Sequence, residues 1–178
     1  CRSVKFTQIP GSAFSGTMFA IQNGVCIVRG SSIYTYGINR VYTPSTQITE
    51  APSFVLYHNN KIYAVCPSRK IYIVPMQYTY STPVVSPTPQ IDLSSITGII
   101  QHVSITASVL IIRINNSIRV INLADDTIIS AFTINTPGFS TKNVMDMGEG
   151  IAYVTSDTSS SVIALYYNST HPSYFTVQ

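Results

Sequence analysis

The sequence predicts an all-β protein, a β-propeller of about four four-stranded antiparallel blades, and three observations carry that prediction. First, a two-strand phrase recurs four times: an apolar stretch, a short polar turn, then a second stretch of alternating Ile, Tyr and Val. Second, the copies begin at Val25, Ile62, Leu110 and Ile151, a spacing of about 37, 48 and 41 residues, close to the ~40–50 residues of a propeller blade. Third, the composition suits pleated sheet: β-branched residues and 12 Tyr abound, helix formers are thin, and no window shows a 3.6-residue period. The competing architecture is a two-sheet sandwich or closed barrel, with strands every ~8–12 residues. Recurrence of a two-strand unit at blade length favours the propeller.

The elements follow in order. Ser3 to Ile9 reads as the outer strand of a further blade (1–15), ended by a Pro10-Gly11-Ser12 turn. The first blade (16–51) runs through Thr17 to Ile21, Val25 to Val28, Ser32 to Tyr36 and Val41 to Thr43, with Asn23-Gly24 at its first turn. The second (52–90) has Ser53 to Tyr57, a turn at Asn59-Asn60-Lys61, Ile62 to Val65, Lys70 to Val74, and a Pro-flanked outer stretch Pro83-Val84-Val85. The third (91–135) has Ile99 to Val103, Ala107-Ser108, Leu110 to Arg113, Ser117 to Ile121 and Thr127 to Phe132. The fourth (136–178) has Asn143 to Met147, Gly148-Glu149-Gly150, Ile151 to Val154, Ser161 to Leu165 and Tyr174 to Val177. Asn and Gly at these turns supply the positive φ of tight hairpins. Inner strands, covered on both faces, lose clean alternation, while outer strands tolerate Pro. Four blades sit at the small end of the ~4–8 that close a ring. The chain is therefore expected to be part of a larger, seven-bladed ring, with an apolar blade face open at each end.

Composition excludes several function classes. The net charge is +3 and no more than two basic residues adjoin (Arg69-Lys70), so no nucleic-acid partner is expected. Ile96 to Ile114 is the longest apolar region, but His102, Arg113 and several Ser and Thr interrupt it, so it reads as two strands and not a membrane span. No signal peptide is recognisable. Cys1, Cys26 and Cys66 have no metal spacing. Cys26 and Cys66 read as small buried hydrophobes in a reducing compartment; a Cys at position 1 would alternatively suit a mature lipoprotein.

The run from Val109 to Tyr167 contains Ser117-Ile118-Arg119-Val120-Ile121-Asn122, Thr127-Ile128-Ile129-Ser130-Ala131-Phe132 and Ile151-Ala152-Tyr153-Val154. It resembles the phosphoinositide-binding propellers called PROPPINs, relatives of WD40 proteins. The resemblance covers a third of the chain well and another third loosely. It implies an N-terminal half of a seven-bladed scaffold acting in autophagy or endosomal traffic, cytoplasmic and peripheral on endomembranes. The family's Phe-Arg-Arg-Gly run is missing; Val28-Arg29-Gly30 has one Arg and sits in another blade, so no lipid-binding residue carries over.

Chemical constellations are sparse, and neither a cofactor nor a metal is expected. His58, His102 and His171 lie far apart with no Cys pair to complete a zinc site. Gly11 to Gly16 lacks nucleophile-elbow spacing. Asp125-Asp126 and Asp146 to Gly150 read as turns stabilised by side-chain-to-backbone hydrogen bonds. Asn115 and Asn168 begin glycosylation sequons, without consequence in a cytosolic protein. One grouping stands out. Turns between second and third strands open on a common rim, which gathers Arg29, Arg69 and Lys70 from neighbouring blades into a basic patch. With Ser hydroxyls beside it, the patch suits an acidic peptide, a phosphorylated segment or an anionic head group. The expected function is a non-enzymatic scaffold for protein partners in membrane traffic or autophagy, linked to membranes by phosphoinositide. The alternatives are a generic WD40-like interaction module with no lipid role and a propeller hydrolase or lyase with its residues around the channel.

Overall fold

The computed structural model describes residues 17–22, 24–37, 42–75, 89–168 and 172–177. Among them there is no helix. The first sheet holds β1 (Thr17–Ile21), β2 (Gly24–Arg29), β3 (Ser32–Gly37) and β4 (Tyr42–Gln47). The second holds β5 (Phe54–His58), β6 (Lys61–Val65), β7 (Lys70–Pro75) and β8 (Ile91–Asp92). The third comprises β9 (Ile100–Ile105), β10 (Val109–Ile114), β11 (Ser117–Asn122) and β12 (Thr127–Thr133), and the fourth β13 (Thr141–Gly148), β14 (Ile151–Ser156), β15 (Val162–Tyr166) and β16 (Ser173–Val177). Every sheet is antiparallel with its strands in chain order, and the four blades do not close into a ring. The propeller-like reading therefore holds. The second blade's outer strand is the two-residue β8, which carries that blade past the expected boundary at 90 to Asp92. Pro83-Val84-Val85 and the proposed strand within 1–15 lie outside the described residues. No helix among the described residues is long and apolar enough to cross a membrane.

Local chemistry explains the hairpins. Asn59 and Asn60 both take positive φ, 49° and 61°, in a two-residue turn that pairs His58 with Lys61. Two consecutive left-handed residues match the twist of the strands they join, and Asn tolerates that region better than most side chains. Gly148, Glu149 and Gly150 likewise turn β13 into β14 at φ of 77°, 55° and 86°.

The core is a series of seams between blades. The first seam joins Cys26, Val28 and Ile33 to Ile62, Ala64, Cys66 and Tyr72. The second joins Tyr63, Val65, Ile71 and Ile73 to Leu110, Ile112, Ile114 and Ile121. The third joins Val109, Ile111, Ile118 and Val120 to Val144, Ala152, Val154, Ile163 and Leu165. Successive residues of β6 thus serve opposite seams: Ile62 and Ala64 face the first blade, Tyr63 and Val65 the third. All six residues of β10 are buried for the same reason. A strand covered on both faces has no polar side, so its sequence reads as a nearly continuous apolar run, which in β10 is broken by Arg113. β5 and β9, first strands of adjacent blades, lie against each other, which puts the first strands toward the hub.

Candidate functional site

The rim that carries the β2–β3, β6–β7, β10–β11 and β14–β15 turns also carries the links from each blade to the next, and the two are tied together by a repeated device. The residue leaving the outer strand donates its N–H to the turn: Ile48 to the Ser31 carbonyl, Leu93 to that of Arg69 and Ile134 to that of Asn116, each at 3.0 Å. Ile48, Leu93 and Ile134 are all buried. An apolar plug beneath the link and a backbone bond above it give these three rim corners the same anchored shape.

Arg29 ends β2 and is exposed beside Gly30, whose φ of 55° makes the turn. Arg69 ends the next turn with φ 67°, where Arg69 N–H bonds the Cys66 carbonyl and Cys66 N–H bonds the Lys70 carbonyl, each at 2.9 Å. Its guanidinium reaches across the link to the third blade, donating to the carbonyls of Gly98 at 2.7 Å and Ser94 at 3.2 Å. Arg69 is thus a cation that also braces the rim. Lys70 opens β7 opposite Asp92 in register. Hydrogen bonds from the Ser94 side chain and backbone, with the Lys70 and Arg69 charges nearby, hold the Asp92 carboxyl below its usual range. Ser68 donates to the Glu50 carboxylate on the preceding link. The structure places Arg69 and Lys70 on one corner with Asp92 and Glu50, and Arg29 on the equivalent turn of the neighbouring blade. The rim is mixed in charge, and hydroxyls and carboxylates sit between its cations.

The third and fourth blades build their corner from neutral groups. Thr141 N–H bonds Asn116 Oδ1 at 3.2 Å, Thr141 Oγ1 donates to the Asn115 carbonyl at 2.7 Å, and Thr158 Oγ1 donates to the Gly138 carbonyl at 2.6 Å. An exposed Lys142–Asp157 pair at 3.1 Å completes it.

Two polar groupings escape sequence reasoning. Asp126, read there only as a turn residue, accepts from Lys61 Nζ at 2.6 Å and from the hydroxyl of fully buried Tyr63 at 2.8 Å, bridging the second and third blades. Burial first, then that hydrogen bond and the carboxylate charge, push the Tyr63 hydroxyl pKa upward. The clue was a Tyr amid a core strand, whose hydroxyl must find a partner. Arg113 is buried between the third and fourth blades and its Nη1 donates to the Thr141 carbonyl at 2.6 Å, Thr141 Oγ1 at 3.0 Å and Gln101 Oε1 at 2.8 Å. β9 pairs Arg113 with His102 and Ile114 with Ile100, so Gln101 is the extra residue of a bulge. A bulge can re-aim a side chain, and Gln101 meets the guanidinium from that position. His102 lies on the same seam; burial first, then the Arg113 charge, lower its pKa, against a hydrogen bond to the Val144 backbone. Asp125 does what was expected of it, accepting from Thr127 N–H and hydroxyl. Among the described residues, no group of three or more His, Cys, Asp or Glu is placed to hold a metal ion.

No protein-family model matches the chain, and no curated protein matches it. Solved structures do. PorZ, a surface component of the type-IX secretion system of Porphyromonas gingivalis, superposes with TM-score 0.63 at 11% identity, over 93% of this chain and 23% of that one. Hsv2 of Kluyveromyces marxianus, a PROPPIN β-propeller, gives 0.58 at 12% identity over 93% and 50%. A chain from the Saccharomyces cerevisiae complex of Dbp5 with Nup159 and Gle1 gives 0.53 at 9% identity over 90% and 46%. The chain spans half or less of the length of each of these structures. At such identities the likeness establishes a propeller-like fold.

Proposed function

We propose that the chain is a non-enzymatic propeller scaffold that docks protein partners on the rim bearing Arg29, Arg69 and Lys70. The observation that carries this reading is the shared construction of that rim, where turns and links are cross-bonded into a preorganised surface. A rigid surface loses little conformational entropy when a partner binds. The interspersed cations, Ser hydroxyls and carboxylates suit a segment that brings acidic or phosphorylated groups to Arg29 and Lys70. The likeness to Hsv2 in fold supports placing the scaffold in membrane traffic or autophagy, cytoplasmic and peripheral on endomembranes, with phosphoinositide as the membrane link.

Arg69 holds two backbone carbonyls, so the test leaves it in place. Full-chain protein and an Arg29→Ala/Lys70→Ala variant are compared by pull-down with acidic and phosphorylated peptides. In parallel, both are floated with vesicles that contain or lack a phosphoinositide. Loss of peptide binding in the variant supports a protein-docking rim, and loss of vesicle binding supports the lipid link. Binding unaltered in both arms retires the patch.

A further inference from the structure

Apolar side chains scattered singly in water are ordinary, so an exposed isoleucine matters only where its position marks it. Ile99 is 68% exposed. It stands directly before β9, whose first residue, Ile100, pairs with Ile114, the last of β10. Ser53 holds the same place before β5, where Phe54 pairs with Val65, and Ser140 holds it before β13, where Thr141 pairs with Ser156. Both serines are exposed. Where the link enters the first strand, the second and fourth blades thus present a hydroxyl, and the third presents a branched aliphatic side chain.

Packing does not account for that side chain. Ile96 and Ile100, on either side of it along the chain, pack partly into the seam between the second and third blades, whereas Ile99 stays outside. The backbone beneath it is nonetheless fixed. Arg69 Nη1 donates to the Gly98 carbonyl at 2.7 Å. Gly98 takes φ 128°, a conformation strained for any L side chain, and a Cβ there would meet Asn115 Nδ2 at 2.3 Å. The link therefore passes close against the β10–β11 turn while the β6–β7 turn clamps it. Ser94, Ser95 and Thr97 on the same link are exposed, so the isoleucine follows a polar, hydrated stretch.

We infer that Ile99 is the apolar anchor of the docking rim: the partner is a peptide segment that brings an acidic group to Lys70 and sets a large aliphatic or aromatic side chain on Ile99. The inference rests on the rim reading proposed above and adds the second half of the partner's chemistry. Arg69 ties the two halves together, since it adjoins Lys70 in the chain and hydrogen-bonds the residue before Ile99. Charge alone attracts any acid. An apolar knob in a polar setting adds selection, because covering it releases water only when the partner supplies carbon at that place. The knob is already held in position, so a partner that covers it has little of the protein to order. Removing the exposed part of one isoleucine from water is worth about tenfold in affinity.

The test uses the 178-residue chain and a series of short labelled peptides, read by fluorescence anisotropy. The parent peptide alternates glutamate and serine, and in each other member a single leucine replaces one serine, at a position moved along the series. In the wild type, leucine at one or two neighbouring positions is expected to raise affinity about tenfold over the parent. Ile99→Ser, which copies the residue at the two equivalent places and is confirmed as folded by circular dichroism, is expected to remove that gain and leave binding of the parent unchanged. Arg29→Ala/Lys70→Ala is expected to weaken parent and leucine peptides by the same factor. A wild type that binds the whole series equally, or a gain that survives Ile99→Ser, overturns the anchor and leaves the basic patch standing. A gain lost in Ile99→Ser beside unaltered parent binding in the double variant supports the anchor and retires the patch. A wild type that binds no peptide overturns both.

Discussion

Asp126 offers the sharpest measure of how blades are held in register. Its carboxylate takes a hydrogen bond from Tyr63, whose side chain is fully buried, and an ion pair from Lys61, whose side chain is 30% exposed against 20% for Asp126. The hydrogen bond joins a neutral donor to a charged acceptor and contributes about 1.5 kcal/mol, the low end for such bonds because water still reaches the acceptor. The ion pair, partly solvated, adds at most about 1 kcal/mol. Removing the carboxylate also strands the Tyr63 hydroxyl in the seam. Asp126 sits at φ 59°, so Asp126→Gly removes the side chain without imposing backbone strain. The expected cost is about 3 kcal/mol, or a fall in Tm of about 6–12 °C for a chain of this size. Tyr63→Phe alone is expected to cost about 1.5 kcal/mol. Urea unfolding of the wild type, both single variants and the double variant gives a cycle whose coupling energy is about 1.5 kcal/mol. Additive single effects, with coupling below about 0.3 kcal/mol, would refute the bridge and leave Asp126 as a turn residue.

Three further outcomes follow from local geometry. His102 has its pKa lowered below 6.5 in the folded chain, so the unfolded state takes up more protons; stability is full above about pH 6.5 and falls with pH toward the folded value. The urea midpoint should drop between pH 7.5 and 5 in wild type and drop less in His102→Gln, and equal slopes would contradict this. Gly150→Ala should destabilise far more than Gly138→Ala: both glycines have positive φ, but a Cβ at 150 meets Asn168 Cβ at 2.3 Å while one at 138 meets nothing within 4 Å. Thermal melts settle it, with about 1 kcal/mol expected at 138 for backbone strain alone. Burial pushes the Cys26 and Cys66 thiols up to about 12, so peptide mapping should find both unlabelled by a thiol reagent at pH 8 until urea opens the fold; labelling in the native state would show the seam is open.

What could be read from the chain was what repeats locally. β6 and β10 announce themselves as buried strands because each serves two seams, and Asn59-Asn60 announces its hairpin because few other pairs take two positive φ values cheaply. The apolar plug positions were harder to see: Ile48, Leu93 and Ile134 each follow directly on an outer strand, but no fixed spacing from their turns marks them, and their role depends on bonds to Ser31, Arg69 and Asn116 across the blade. Arg29, Arg69 and Lys70 were read as a rim grouping, but the carboxylates of Glu50 and Asp92 beside Arg69 and Lys70 were not. Glu50 arrives from a link 18 residues before its partner Ser68, and Asp92 from an outer strand of two residues that offers no periodicity to recognise. Asp126 and Lys61 are separated by 65 positions and meet only because their blades are neighbours. Pattern along the chain reports burial; it does not report which blade a polar side chain will face.

Arg113 shows what such a contact does for an apolar seam. Ile, Val and Leu would pack at many offsets, whereas a guanidinium that must reach both the Thr141 carbonyl and Gln101 fits one. Among the described residues no carboxylate bonds it, and burial lowers its pKa, with the Asp157 charge opposing. Arg113→Lys keeps a buried charge, but a lysine ammonium ends one bond short of Nη1, the single nitrogen that reaches Gln101 and Thr141. Such a variant should lose about 3 kcal/mol, as buried charges do when their partners go. Arg113→Met leaves the three acceptor atoms without this donor but removes the charge altogether, and apolar replacement of buried ionic groups is often close to neutral. Its loss should be about 1 kcal/mol, so the order of stability runs Arg, then Met, then Lys. If Lys proves as stable as Arg, the guanidinium geometry does not register the blades, and the apolar residues of the seam must specify the offset by shape alone.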